Sequence, residues 1–506
     1  MLPARVTLYL VLGLWLYPSV GYREVLRMLF EQLHHRAGTR HLRVPSAPAA
    51  VQARRRLGRE PLKSLFLLLR GAHCGPEDPG ATAFGHGLAL LTTAVDGTTL
   101  DVPNTVPNRA AFGPAPGRSN KDPGRCPQIR VLTLIACGTR AILDAAWGGR
   151  STSEGALLRK LVHGGCLRAG MLVLADRYFS GSAHVATVRA TGADLIIRAI
   201  ASRLLPVLRR LPDGSYLSHL PAANQITPDL IARARPKGVR PQRRGVRARQ
   251  DAGMPIRVIQ ADITVVPEHG ESRSESYLLI TTLFDHVTAP ALQIVKLYAE
   301  RWEAETGYAD LKIHLSGMRN VLRSGEPNGV AQELYALLIV YQIVQIIRAR
   351  AARENPEDAP ADPDRISFTV TLRALVRSVG RCTPPALLDV FHEIWSSPRL
   401  ERRGRTKTRE RKSALAYARA VSRTPLSRAE YKITIQAPQP TGPQLTGVGS
   451  CRSSSSGCPC RCAAGCGSGC RPGGRCRRPF GRSSSARVPG VGRGWPAGRR
   501  PQAPTG

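Results

Sequence analysis

Residues 171–199 read MLVLADRYFSGSAHVATVRATGADLIIRA. The opening residues, Met171–Ala175, are all apolar, which suits a strand covered on both faces. Asp176 stands at its C-terminal end, Ser180–Thr191 has helical spacing, and Asp194–Ala199 reads as a second buried strand. Upstream, residues 87–103 (GLALLTTAVDGTTLDVP) read as a strand ending at Asp96-Gly97. Arg130–Cys137 and Arg140–Ala146, joined at Gly138-Thr139, form the pattern of a hairpin, and Ser153–Val162 that of a helix with a Ser/Thr-rich start. Strands, hairpin, helix, strand, helix, strand is the order of an α/β layered domain.

Residues 1–85 read as helical: an apolar helix, a turn at Pro18, then YREVLRMLFEQL and a basic stretch with Arg54, Arg55 and Arg56. Such a region suits a small DNA-binding module, and a solvated basic face explains the charges nearly as well. The apolar run Val6–Tyr17 is about twelve residues, short of the ~20 that span a bilayer, and is expected to be a core helix. Residues 86–200 form the first part of the α/β domain. Residues 201–288 read as a β-rich insertion, with eight Arg and Lys between Arg233 and Arg249 and alternating strands at Ile256–Val266 and Tyr277–Phe284. Residues 289–350 return to the domain and include an apolar core helix, Leu334–Ile347. A basic helical region, 351–436, follows, and residues 437–506 are expected to be a disordered tail because they lack the apolar residues of a core.

Lys and Arg number 73 against 36 Asp and Glu, a net charge of +37. The tail holds eleven of these Arg and no acid, which still leaves +26 on residues 1–436. That bias points to a polyanionic partner, of which nucleic acid is the usual one. Seven of the twelve Cys crowd into the tail and the other five are scattered, a pattern of a reducing compartment. Zinc is the alternative for the tail cysteines, but paired C-x2-C knuckles and histidine are both absent there. Abundant Ala, Arg, Gly and Pro suggest a GC-rich bacterial host.

Asp96, Asp176 and Glu305 each sit where an acid can hold a catalytic metal. The third belongs to Tyr298-x2-Arg301-x3-Glu305-x6-Lys312, at offsets 0, 3, 7 and 14. On an α-helix those offsets fall on one face. One carboxylate, two cations and a phenol on one face are what cutting a polyanionic backbone needs. The plainer reading is an exposed helix with an Arg301–Glu305 pair and Tyr298 in the core. Asp96-Gly97 read alone could be just a turn, and Asp176 a helix cap. Asp101 and Asp144 are the decoys, with Asp101 expected in a strand or turn.

The blocks AVDGTTLDVPNT (94–105), LVLADRYFSG (172–181) and LYAERWEAETGYADLKIHL (297–315) resemble the three catalytic blocks of the insertion-sequence-four family of bacterial DDE transposases. Tyr298, Arg301, Glu305 and Lys312 match that family's Y-x2-R-x3-E-x6-K signature at every position. LPARVTLYLVLGL and ARRRLGREPL also resemble the family's N-terminal region, at whose start the chain almost begins. The tail matches nothing in the family and has the composition of translation past a shifted reading frame. The resemblance implies a ribonuclease-H-like catalytic domain with a β-rich insertion between the second Asp and the Glu. It implies two Mg²⁺ ions, replaceable by Mn²⁺, on Asp96, Asp176 and Glu305, with Tyr298, Arg301 and Lys312 on the transposon-end phosphates. In some relatives an insertion aromatic stacks on a flipped base; residues 200–290 contain no Trp for that role. The implied activity is cleavage at terminal inverted repeats and strand transfer into target DNA, by a homodimer on double-stranded DNA, in the bacterial cytoplasm at the nucleoid. An inactive DNA-binding remnant and a stand-alone structure-specific nuclease are the rival readings.

Overall fold

In the computed structural model, Leu90–Asp101 (β2) is the strand around which the sheet is built. The structure describes residues 2–437 except 38–42, 86, 114–125, 201–202, 204, 222–252, 267–271, 317–320, 356–360, 381–386, 399–408, 414–415 and 420–429. All of these lie in one unit, Met1–Pro443. The cationic cluster 233–249, most of the RRGRTKTRERK run and all but the first residue of the proposed tail fall outside the described residues.

β1 (Ala83–Phe84) flanks β2. The strands that follow are β3 (Gln128–Ala136), β4 (Ile142–Gly149), β5 (Met171–Ala175), β6 (Asp194–Arg198), β7 (Arg209–Arg210), β8 (Tyr216–Pro221), β9 (Gly253–Val266) and β10 (Arg273–Thr281). Their order across the sheet is β4-β3-β2-β5-β6-β10-β9-β8-β7. The hairpin β3–β4 is antiparallel, whereas β2, β5 and β6 run parallel. Parallel neighbours need crossovers, and the helices Glu154–His163 and Ser182–Arg189 lie on two of them.

Alternation along the strands divides the core. Leu91, Val95, Val173, Leu195 and Ile197 face the helices of the crossovers, packing with Leu157, Leu158, Leu161, Val185 and Val188. Leu90, Ala94, Leu172, Leu174 and Ile196 face the other way, against Tyr298, Ala304, Tyr308 and the helix Pro327–Glu354. With both faces covered, each wholly buried Leu or Val contributes about 1.5–3 kcal/mol, which explains the uninterrupted apolar run of β5. Asp96 has the same parity as Ala94, and Asp176 the same parity as Leu174. Both aspartates therefore project toward the second face.

Four helices, Ala4–Leu16, Tyr22–Ala37, Ala47–Leu57 and Glu60–Leu69, make up the N-terminal region. The first is a core helix: Leu10 and Val11 are fully buried, and Trp15 Nε1 donates to the Glu333 carbonyl. The helix Pro327–Glu354 is long and apolar enough to cross a membrane, but 83% of its most apolar window is buried inside the protein.

Two expectations need correction. β2 does not end at Asp96-Gly97 but runs to Asp101, because the register with β3 continues from Asp96↔Thr133 to Asp101↔Gln128. Residues 201–288 are β-rich as expected, and β10 pairs with β6 so that they extend the same sheet. The stretch 351–436 is helical only in part. After the helices Phe368–Gly380 and Leu387–Trp395 come β11 (Arg409–Ser413), β12 (Ala416–Arg419) and β13 (Glu430–Ile435). β13 pairs with β9 over Glu430–Ile435, a long-range contact invisible to local periodicity.

Candidate functional site: three carboxylates around an arginine

The parallel register of β2 and β5 pairs Leu91 with Met171 and Ala94 with Leu174. Two residues further along each strand stand Asp96 and Asp176, level with one another and pointing to the same face. Sequence separation conceals this, since the two are brought together only by the crossover. Asp176 also caps the 3₁₀ turn Arg177–Ser180, its Oδ1 accepting from the Tyr178 N–H at 2.9 Å. The helix-cap reading and the site reading therefore describe the same residue. Gly97 leaves room beside Asp96 for Glu154, whose Oε1 a Cβ there would meet at 2.9 Å.

The segment carrying Glu305 covers these aspartates, but it is not one regular α-helix. It runs as α-helix over Ala291–Tyr298, a 3₁₀ turn over Ala299–Arg301, α-helix over Trp302–Ala309 and a π-turn over Asp310–Leu315. The single face expected from the offsets is therefore re-aimed twice. Tertiary contacts account for where it is held. Tyr298, 7% exposed, donates its hydroxyl to the carbonyl of Ala175, the residue before Asp176, at 3.1 Å. Tyr308 donates to the carbonyl of Asp96 itself and accepts from Thr133, from Oγ1 at 2.8 Å and from N at 3.3 Å. Two phenols thus bolt the Glu305 segment to the backbone at both aspartates. A buried ion cluster anchors its far side: Glu303 pairs with Arg140, which pairs with Asp364 at 2.8 Å.

Arg301 lies among the carboxylates. Its Nη1 is 3.7 Å from Asp96 Oδ2 and its Nη2 is 3.3 Å from Glu305 Oε1. Burial opposes the Arg301 charge, but Tyr298, Asp96, Glu305 and Asp176 outweigh it and raise its pKa. The Nε is buried with no hydrogen-bond partner. Burial likewise pushes the Asp96 carboxyl up to about 6, Arg301 and the Gly97 N–H hold it down, and Glu305 and Asp176 push it further up. Glu305 and Asp176 thus lie within electrostatic reach of Asp96.

The structure brings together Asp96, Asp176, Glu305, Arg301 and Tyr298. Lys312 lies apart from that group, bordering Thr98, Leu100, Thr133 and Tyr308 further along β2. Burial lowers its pKa, partly offset by Asp101. Asp101 ends β2 and accepts from Gln128 Nε2 at 2.6 Å, and Asp144 pairs with Arg70. Sequence reasoning missed Tyr308 and Glu154. Tyr308 left a faint signal, three residues after Glu305 at helical spacing. Glu154, beside Gly97 and within reach of the Asp176 charge, looked like an ordinary first-turn acid.

Oxygen-only donors suit a hard divalent cation. Among the described residues, however, no three acidic, His or Cys side chains gather closely enough to hold one. Arg301 supplies the neutralising charge between Asp96 and Glu305 instead. The donor chemistry of Asp96, Asp176 and Glu305 fits a hard divalent ion.

Residues 1–67 match a family described as insertion element 4 transposase N-terminal, and residues 89–343 match the transposase DDE domain. The transposase InsG for insertion sequence element IS4 of Escherichia coli (strain K12) is 25% identical over 348 residues, covering 68% of this chain and 69% of that protein. A cryo-EM structure of a piggyBac transposase synaptic complex with hairpin DNA aligns at a TM-score of 0.34 and 11% identity. It covers 62% of this chain and 55% of that one, a likeness too distant to argue from.

Proposed function

Because the chain belongs to the insertion-sequence-four family of DDE transposases, whose DDE domain implies a ribonuclease-H-like fold, we propose that it mobilises a bacterial insertion sequence. It binds the element's terminal inverted repeats, cleaves DNA at the ends and joins the 3′-OH ends to target DNA. It acts as a homodimer on double-stranded DNA, in the cytoplasm at the nucleoid. The observation that supports this reading is the register of β2 and β5, which leaves Asp96 and Asp176 level, together with Arg301 pairing with both Asp96 and Glu305.

Asp96, Asp176 and Glu305 would hold the divalent ions, Mg²⁺ or Mn²⁺. Bound there, such ions activate the attacking oxygen and stabilise the leaving one. The chain's own residues do the rest. Arg301 is the cation nearest the carboxylates, and its planar fork, with Nε unpartnered, would suit a phosphate oxygen. Lys312, further along β2, adds a point charge for a flanking phosphate. Tyr298 and Tyr308 fix the Glu305 segment over both aspartates, keeping the donors in place before DNA arrives.

The DNA flanking the gene supplies the end sequences for the test. With Mg²⁺ the protein should cleave those ends and join them to a plasmid, while Asp96→Ala, Asp176→Ala and Glu305→Ala each bind the ends and cut nothing. Arg301→Lys should impair cleavage more than Lys312→Arg, since only arginine offers two parallel hydrogen bonds. Cleavage without joining would indicate a nuclease, and binding without cleavage in either metal an inactive remnant. An Asp96→Ala protein that cuts near the wild-type rate would sink the assignment.

A further inference from the structure

We propose that Tyr178 is a stacking platform for a nucleobase of the DNA whose backbone reaches Asp176. The inference rests on the proposed function and adds to it a contact with a base.

Tyr178 is the second residue of the turn Arg177–Ser180, and its N–H donates to Asp176 Oδ1. The placement of its ring is therefore tied to a carboxylate of the site. The ring stacks on the His184 imidazole, with centroids 5.5 Å apart and planes 27° apart. It also meets Phe179 at 5.2 Å and 84°, and Phe179 meets His184 at 5.7 Å. Phe179 is 2% exposed and fixed in the core. Burial, with help from Arg159, lowers the His184 pKa and so disfavours a charge on the imidazole against which Tyr178 stacks.

Against this rigid backing, Tyr178 itself is 45% exposed. An aromatic ring already held by two others loses little side-chain freedom when a ligand covers it. The ligand must be flat, apolar on its faces and found beside phosphates. A nucleobase meets all three conditions, and the exposed Arg177 next in the chain suits the backbone that would accompany it. Stacking of this kind tolerates every base and contributes enough for one ring to matter.

The test uses a partial duplex with a single-stranded 3′ extension that carries 5-iododeoxyuridine, irradiated on the full-length protein and mapped by mass spectrometry. The crosslink should fall on Tyr178 and persist in Tyr178→Phe. Tyr178→Leu should lose it and bind the same DNA roughly 5- to 150-fold more weakly. The salt dependence of binding should not change, because no phosphate contact is lost. As the side chain is half exposed, Tm should be unaltered. A Tyr178→Leu protein that binds as tightly as wild type, or loses affinity together with salt slope, would overturn the platform. If the wild-type protein binds this DNA but neither cuts nor joins element ends, the proposed function falls. The platform is then judged on Tyr178→Leu alone.

Discussion

Replacing Tyr308 by Phe removes one oxygen from the centre of the site and leaves the packing of the ring. That oxygen serves the Asp96 carbonyl, Thr133 N and Thr133 Oγ1. Tyr308 is 8% exposed, so water is a poor substitute. Leaving two or three buried polar groups unpaired, at about 1–3 kcal/mol each but partly relaxed, should destabilise the protein by roughly 2–4 kcal/mol. Unfolding entropy of about 2.1 cal/mol/K per residue converts this to a fall in Tm of only about 2–4 °C for a unit spanning Met1–Pro443. Stability is thus the smaller signal. The larger one is catalytic: with the bolt to Asp96 gone, the Glu305 segment can drift from β2, and a displacement near 1 Å costs on the order of 10²-fold in rate. Single-turnover cleavage of end DNA should fall by that order while the affinity for DNA stays unchanged. Mn²⁺ binding followed by electron paramagnetic resonance should weaken in parallel, which mere loss of stability would not cause. Thr133→Val, which removes one of the three contacts, should sit between wild type and Tyr308→Phe. If Tyr308→Phe cleaves and binds Mn²⁺ as wild type does, the phenol is only a core residue and the bolting argument is wrong.

Two further substitutions probe the charges. Asp96, raised by burial to about 6 from its ordinary 3.8, holds a proton in the folded protein that the unfolded chain releases. Stability therefore falls as pH rises between those values, by about 3 kcal/mol in total, and the cost persists above pH 6. In metal-free buffer Asp96→Asn should melt about 3 °C higher than wild type at pH 8 and equally at pH 3.5; a gain of the same size at both would refute the titration. Glu303→Gln leaves Arg140, 1% exposed at its side chain, with Asp364 as its remaining acidic partner of the pair, and should cost about 3–5 kcal/mol in urea unfolding. A loss under 1 kcal/mol would show that the cluster does not anchor the segment.

Sequence alone determined whatever depends on local spacing or on unusual residue combinations. The apolar run Met171–Ala175 read as a strand covered on both faces, and the hairpin around Gly138 declared itself by composition. Three acids in three recognisable blocks identified the family before any contact was known. Local spacing failed where long-range pairing takes over. Nothing near Glu430 announces that it will join β9, and nothing near Asp96 shows that its strand continues to Asp101, because both depend on partners far along the chain. The Tyr298–Lys312 signature was legible as a motif but not as a shape. Its α-helical face is bent through a 3₁₀ turn and a π-turn, and Lys312 ends among Thr98 and Leu100 and not among the carboxylates. Tertiary structure also decided which groups surround Asp96. The register of two parallel strands set Asp176 beside it, a phenol ten residues beyond Tyr298 fastened its carbonyl, and Arg301 came within 3.7 Å of its side chain. Burial and charge act through space, so a carboxylate's neighbours, and with them its proton affinity, exist only once the chain has folded.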